Sequence, residues 1–499
     1  MFRTTSKLVK QAVAKQSAQR PRRYRRTLSA FLGASAAVGC VLAAQSVVYL
    51  DSSSSSGGRT SPFDSLRRRK STDSFDPTRP SVDVNATLRQ HEETRFTDGK
   101  ETGIRRYDIV QVSSNDPNED DHSTAIVPHP KGSWAFFAVL DGHSGWETSA
   151  WLRENLIPAI TGSLADLYHN YHAPGDSFLS AAWALIGRSP GGGDAYTPPD
   201  GSINSAISAT FKRLDHDIVH DAVERVFASP SKNIATNVLA PAYAGSCALL
   251  AFFDSHTRTL RVAVTGDSRA VLGRRKVDPS TGAVRYEVHV LSVDQDGHSP
   301  LEIARLNDSP EHPGETVIKN GRVLGMGPSR AFGDARWKWD LETQARLKKE
   351  YLGRSTPGNV KTPPYLTAEP EITTTKTAPG DFLIMATDGL WECLQSEEAV
   401  GLVGTWAESR RGNGGESTEE AVSRTALPVQ LPEKDETVRY GQWGAQKAFV
   451  NVDANAATHL ARNALGGADL DLATALLGMR SPRGRTYRDD ITAIVVFFD

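Results

Sequence analysis

From Ile104 to the final residue the chain alternates short apolar runs with stretches whose apolar positions return every three or four residues. Strand-length runs rich in β-branched and aromatic residues predict strands at Ile109–Ser113, Trp134–Leu140, Cys247–Phe253, Leu260–Thr265, Ala270–Gly273, Glu287–Ser292, Asp381–Ala386 and Ile491–Phe498. Helical spacing predicts helices over Trp146–Leu156, Ile203–Val226, Pro300–Leu306 and Ala454–Leu465. The third opens with Ser299 as N-cap, Pro300 in the first helical position and Glu302 at the spacing of a capping box. The mixture predicts a multi-strand α/β or α+β domain. Three stretches read as insertions: the turn-rich 187–202, the mixed 337–365 and the polar 408–447. No internal repeat is visible.

Several apolar runs end in acid. Trp134–Leu140 (WAFFAVL) is apolar on both faces, as a strand buried inside a sandwich or sheet would be, and Asp141 and Gly142 follow at once. That puts a carboxylate and an approachable backbone carbonyl at one strand end, and both are oxygen ligands for a hard cation. DFLIMATDGLWE (381–392) repeats the design with Asp388 and Gly389, and Asp489 and Asp490 stand directly before ITAIVVFF. A fourth cluster, NEDD, occupies 118–121. Each aspartate alone fits a turn or a cap. Four clusters at the edges of β-rich runs point instead to a gathered Mg²⁺ or Mn²⁺ site and to metal-assisted chemistry on phosphate.

Composition changes this picture little. The 499 residues are 39% apolar and 23% charged, which is ordinary for a globular protein and allows either several domains or one large one with tails. A formal net charge of −2 and the lack of a basic stripe weigh against a nucleic-acid partner. The three cysteines, Cys40, Cys247 and Cys393, have no CxxC spacing, which argues against a disulfide framework or a zinc site.

The N-terminus stands apart. Residues 1–27 are basic, rich in hydroxyl groups and free of Asp and Glu, the pattern of a mitochondrial transit peptide. The uncharged run 28–50 is long enough to cross a bilayer, so it reads as an inner-membrane anchor or a sorting segment, or as part of a cleaved leader. If it spans, the basic flank stays on the matrix side and the rest of the chain lies in the intermembrane space; otherwise the matrix is the address. The Ser-, Arg- and Pro-rich stretch that follows has too little apolar surface to order itself, so 51–100 reads as a disordered linker and 101–499 as the catalytic domain. Its RRRK cluster (67–70) reads as solvated linker charge or as a contact for an acidic membrane surface.

The order of motifs resembles the metal-dependent protein phosphatases of type 2C from about residue 101 onward. The motifs are NEDD at 118, VLDGHSG at 139, AGSCALLAFF at 244, VAVTGDSRAVLG at 262, LSVDQDGHSP at 291, SRAFGD at 329, ATDGLWE at 386 and RDDITAIVV at 488. The resemblance implies an α+β fold: a β-sandwich of two antiparallel sheets flanked by helices on both sides, with a two-metal centre in a cleft at one end. It also implies a serine/threonine phosphatase that uses two Mg²⁺ or Mn²⁺ ions and attacks with a hydroxide bridging them. By the same resemblance, Asp120, Asp141, the Gly142 carbonyl, Asp388 and Asp489 are metal ligands, with Asp141 bridging, and Glu119 holds metal-bound water. Asp267 and Glu392 fall where some members bind a third ion; Glu392 stands where Asp is usual, which leaves that site open. His143 matches the histidine proposed to protonate the leaving alkoxide, against a structural histidine as the alternative. His122 and His298 read as surface or outer residues.

Departures from the pattern carry information. Many members place an arginine four residues before the acidic pair to grip substrate phosphate; here Asn115 occupies that substrate-binding position, which implies weaker phosphate capture or rescue by another basic group. This departure, with GPSRAFGDARWKWDLETQ (327–344) and TPPYLTAEPEI (363–372), resembles the pyruvate dehydrogenase phosphatase branch. The implied partner is then a phosphoprotein, with the pyruvate dehydrogenase complex as the leading substrate. RWKW (336–339) reads either as a substrate-side flap or as a packed Trp pair with solvated Arg and Lys. Ser144 replaces the second glycine of the usual DGHGG string. Two competing readings remain, a membrane-tethered pseudophosphatase that binds a partner and a hydrolase of small phosphate esters or nucleic acid. The first sits poorly with the intact set Asp120, Asp141, Asp388 and Asp489.

Overall fold

The computed structural model describes residues 82–129, 131–171, 198–411 and 418–499. The leader, the apolar run 28–50, the RRRK cluster and most of the 187–202 insertion lie outside the described residues. Among the described residues no helix is long and apolar enough to cross a membrane.

Two antiparallel sheets carry the fold. The first comprises β1 (Glu92–Phe96), β2 (Ile104–Val112), β7 (Arg269–Val277), β8 (Val284–Val290), β13 (Phe382–Ala386) and β16 (Ile491–Phe498), in the order β1-β2-β16-β13-β7-β8. The second comprises β3 (Asp121–His129), β4 (Gly132–His143), β5 (Gly245–Asp254), β6 (Thr259–Thr265) and β12 (Glu371–Lys376), in the order β12-β6-β5-β4-β3, with the short β11 (Phe332–Gly333) added to β5. Two small pairs, β9 (Ile318–Lys319) with β10 (Arg322–Val323) and β14 (Thr418–Val422) with β15 (Phe449–Asn451), lie outside the sandwich.

Period-two alternation explains why the central strands are apolar on both faces. In β4, Ala135, Phe137 and Val139 enter the core between the sheets. Trp134, Phe136, Ala138 and Leu140 enter the core beneath α2 (Glu147–Asn170) and α3 (Asp200–His216). In β16, Ile494, Val496 and Phe498 face the other sheet. Ile491, Ala493, Val495 and Phe497 face the helices α1 (Val84–Arg89), α5 (Ser396–Arg411), α6 (Ala456–Ala464) and α7 (Leu470–Gly478). The result is a four-layer helix–sheet–sheet–helix sandwich, as the motif order implied. Truncating Phe137, 1% exposed in the innermost layer, to alanine would cost about 3–5 kcal/mol.

Several expectations are corrected. The linker read over 51–100 ends early: α1 buries Val84 and Leu88, and β1 pairs with β2 over its full length, so two apolar anchors and a sheet edge order a stretch that averages as polar. The helix read over Ile203–Val226 is broken by a π-helical turn at Asp217–Asp221. Ser299 does cap α4 (Pro300–Asn307), but no capping box forms, because its side chain makes no cap bond and Glu302 turns away to Arg305, Ser329 and Arg330. Of the two readings of RWKW the packed Trp pair holds and the flap does not: Trp337 and Trp339 are buried and Trp339 Nε1 donates to the Val219 carbonyl, but Lys338, read as solvated, is buried against Asp215 at 2.8 Å.

Candidate metal centre

Antiparallel pairing gathers the acidic clusters. At one end of the sandwich β2, β4, β6 and β13 finish while β3, β5, β7 and β16 begin, as the pairings Asp121–Leu140, His143–Gly245, Ile491–Val112 and Ala386–Arg269 record. The acidic motifs read from the sequence lie at strand ends here: Asp141 stands near the end of β4, Asp388 follows β13, and NEDD and RDD lead into β3 and β16.

Asp141, Asp267 and Asp388 present ligand atoms within 4.8 Å of one another. The Asp388 amide, which opens the one-turn helix Asp388–Trp391, lies 3.5 Å from Asp141 Oδ2. Burial, reinforced by the charges of Asp388, Asp120 and Asp267, pushes the Asp141 carboxyl well above its ordinary range. Asp388 is raised for the same reason, with Asp267 and Glu392 as its strongest opponents. Asp120 is pushed up to about 8, by burial first and by the charge of Asp490 second. Its Oδ2 is buried without a hydrogen-bond partner. Dry, mutually repelling carboxylates with an unpartnered oxygen make a donor set that fits hard divalent cations.

Gly142 is required by close approach. A Cβ there would run into the Glu119 carbonyl oxygen, which also accepts a bond from Ser149 Oγ at 2.5 Å. The glycine of the DGH motif thus lets the end of β4 close on the segment carrying Glu119 and Asp120. That segment is fixed by Asp490, whose buried carboxylate accepts from the amides of Ser114, Asn115 and Glu119 and from Asn115 Nδ2. Asn115 Nδ2 also donates to Glu119 Oε2 at 3.2 Å. Glu119 itself is raised by burial.

His143 ends β4 and meets Asp334 of SRAFGD, Nε2 to Oδ2, at 2.6 Å. The Asp334 side chain is 1% exposed and its backbone is left-handed at φ 47°, a conformation that aspartate tolerates better than most residues. A Cβ at Gly245 would collide with both His143 Nε2 and Asp334 Oδ2, so the glycine of AGSC makes room for the pair. Burial alone would depress the imidazole pKa; the Asp334 carboxylate outweighs it and the histidine is raised. A readily protonated imidazole beside the carboxylates can act as a proton donor.

The remaining residues sort clearly. Asp489 is paired with Arg485 four positions earlier. Glu392 is turned to Arg439 at 2.6 Å, so of the two residues read as a third-ion pair, Asp267 joins Asp141 and Asp388 while Glu392 holds an arginine. Cys247 lies beside Asp267, and burial pushes its thiol far above the range in which it could serve as a nucleophile. His122 is buried and His298 is exposed beside Asp296. Reading the sequence missed Asp334, the tethering role of Asp490 and Arg485 as the partner of Asp489, although Asp334 and Asp490 lie inside motifs it singled out.

Comparison with known proteins decides the family. The family model described as protein phosphatase 2C matches residues 191–433. A protein phosphatase 2C homologue of Schizosaccharomyces pombe is 43% identical over 431 residues, covering 84% of this chain and 86% of its own. The chain belongs to the protein phosphatase 2C family. The mitochondrial pyruvate dehydrogenase (acetyl-transferring) phosphatase 1 of Saccharomyces cerevisiae is 35% identical over 442 residues, covering 83% of this chain and 72% of the relative. The human protein of that name is 32% identical over 468 residues, covering 83% and 82%. As a 2C-family member, the chain is a protein serine/threonine phosphatase of a metal-dependent family, and its substrates are phosphoproteins.

Proposed function

We propose that this phosphatase works in mitochondria, removes phosphate from serine and threonine of the pyruvate dehydrogenase complex, and does so with two Mg²⁺ or Mn²⁺ ions. The observation that carries the chemistry is the convergence of Asp141, Asp267 and Asp388 beside the unpartnered Asp120 Oδ2 and the His143–Asp334 pair. The substrate and address rest on relatives named mitochondrial pyruvate dehydrogenase phosphatases and on the acid-free basic leader 1–27.

Asp120, Asp141, Asp388, Asp489 and the Gly142 carbonyl would hold the two ions, with Glu119 ordering water beside them and Asp267 available to a third. When bound, the cations supply an acidified water and positive charge for the phosphoryl oxygens. His143 gives its proton to the departing seryl or threonyl oxygen, and Asp334 keeps the ring aimed and charged until it does. Neither a serine nor a cysteine nucleophile is needed, in keeping with the deeply buried thiol of Cys247.

The test uses the purified chain on phosphorylated pyruvate dehydrogenase complex. Activity with Mn²⁺ that chelator and Asp141→Asn both abolish is expected. A folded chain inert on phosphoserine peptides would end the phosphatase mechanism, and activity on peptides but not on the complex would end the substrate assignment. Protease protection of mitochondria and mitoplasts reads the address: cleavage already in mitoplasts places the domain outside the matrix and removes a matrix complex from its reach.

A further inference from the structure

We propose that Arg485 is the phosphate-gripping group of this site, taking over at the opposite end of the chain the task that Asn115 cannot perform. The inference rests on the phosphatase reading above and names the residue that captures its substrate's phosphoryl group.

Three observations lead there. First, position 115 is committed: its Nδ2 donates to Glu119 Oε2 and Asp490 Oδ2, and its backbone amide donates to Asp490 as well. An amide with its donors so used offers a phosphate dianion only a carbonyl oxygen. Second, Arg485 pairs through Nη1 with Asp489 Oδ1 and makes no other hydrogen bond among the described residues, while its side chain stays 40% exposed. A guanidinium carries five donors in a planar fork, so most of them remain for a phosphoryl group, which it can take in bidentate fashion. Third, the segment bearing it is fastened. The short helix Gly484–Tyr487 is followed by buried Arg488, whose Nε donates to the Leu476 carbonyl, and Trp443 Nε1 donates to the Tyr487 carbonyl. The Arg485 backbone is therefore anchored at both ends of its turn and is not a loose surface arm.

Electrostatics agree with that placement. The Arg485 charge favours the ionised forms of Glu119, Asp120 and Asp388, residues delivered by two different strand ends. Of the other cations beside these carboxylates, Arg439 holds Glu392, and Arg269 holds Asp294 with both Nε and Nη2. A cationic fork beside a cluster of carboxylates draws in a phosphate dianion and adds charge-assisted hydrogen bonds to whatever the bound ions supply.

The experiment compares the full chain with Arg485→Ala and Arg485→Lys. In the presence of Mn²⁺, KM for p-nitrophenyl phosphate and the inhibition constant of inorganic phosphate should rise together. The rise expected is roughly tenfold to a hundredfold for Ala, the weight of one or two charge-assisted hydrogen bonds, and smaller for Lys. The kcat should fall less than KM rises, and the Mn²⁺ concentration for half-activation should not increase, since removing the arginine leaves Asp489 free for a cation. Independently of turnover, inorganic phosphate should raise the unfolding temperature of the Mn²⁺-loaded wild type and fail to do so for Arg485→Ala. Unchanged KM and an unchanged phosphate-induced shift would overturn the proposal. So would a variant whose only defect is a raised Mn²⁺ requirement, since Arg485 would then serve Asp489 alone. A wild type stabilised by phosphate yet catalytically inert would end the phosphatase reading and leave this assignment standing.

Discussion

His143 and Asp334 stand 191 positions apart in sequence and 2.6 Å apart in space. Replacing the aspartate with asparagine keeps the shape but removes the charge that raises the imidazole. Asp334→Asn should lower kcat on phosphoserine peptides by roughly a hundredfold with KM little changed. The defect should be much smaller on p-nitrophenyl phosphate, whose leaving group needs no proton; equal losses on both substrates would show that Asp334 only shapes the site. Ser144, next along the chain, has φ 61°, a region glycine enters freely. This explains why glycine is usual there, and Ser144→Gly should stabilise the protein by about 1 kcal/mol in chemical denaturation. At this scale the sequence displayed acids that close a buried strand, such as Asp141 and Asp388. It hid residues whose role depends on which loops meet. Asp490 looks like its neighbour Asp489 until its carboxylate is seen tying down residues 114–119. Nothing about Arg485 distinguishes it from any exposed arginine until the carboxylates are assembled.

Among secondary elements, legibility followed burial. The central strands β2, β4, β5, β6, β13 and β16 are apolar enough to be recognised from pattern. In the two large sheets the longer strands missed, β1, β3 and β12, lie at edges, where one flank is solvated and the alternation is diluted by Thr, Glu and His, although the edge strand β8 was read over Glu287–Ser292. Helix α2 runs to Asn170, far past Leu156, because it carries Pro158 without stopping, so the usual breaker misled. The capping-box spacing at α4 misled differently, because Glu302 serves the SRAFGD segment. Its pKa is the outcome of burial, which raises it, and of bonds from Arg330 and Arg305, which win and hold it at about 2. Because that lies below the ordinary 4.5, the stabilisation is complete above pH 4.5 and disappears as pH falls toward about 2. Glu302→Gln should therefore cost about 3 kcal/mol near neutrality, since it removes the buried charge that Arg305 and Arg330 share and leaves them their remaining bonds to Glu371 and backbone carbonyls. The gap between wild type and variant in urea denaturation should close over that acid window; a constant gap would show that packing, not charge, is what Glu302 provides.

Across the whole molecule, one end of the sandwich concentrates carboxylates that oppose one another's ionisation. A carboxyl at about 8 in the fold, such as Asp120, binds a proton that the unfolded chain releases near 4. Stability in chelator should therefore fall as pH rises from about 4 to about 8. Mg²⁺ or Mn²⁺ should flatten that slope and raise the unfolding temperature most at the alkaline end. A metal effect independent of pH would place the ions elsewhere. The sandwich, its helix layers and the metal end were legible because eight motifs kept their order along the chain. For RWKW the sequence offered the packed pair beside a flap without deciding between them, because only the helix layer beside it shows that Trp337 and Trp339 are covered.

One consequence of the topology concerns timing. The final strand, β16, is the inner neighbour of both β2 and β13, and Asp489 and Asp490 arrive with it. Until β16 is in place, the first sheet is split in two and the segment at 114–119 lacks the Asp490 carboxylate that accepts from its amides. A chain in which β16 is missing, or has not yet been made, therefore lacks both the joined sheet and the acids that precede it, and should be inert toward every phosphoprotein.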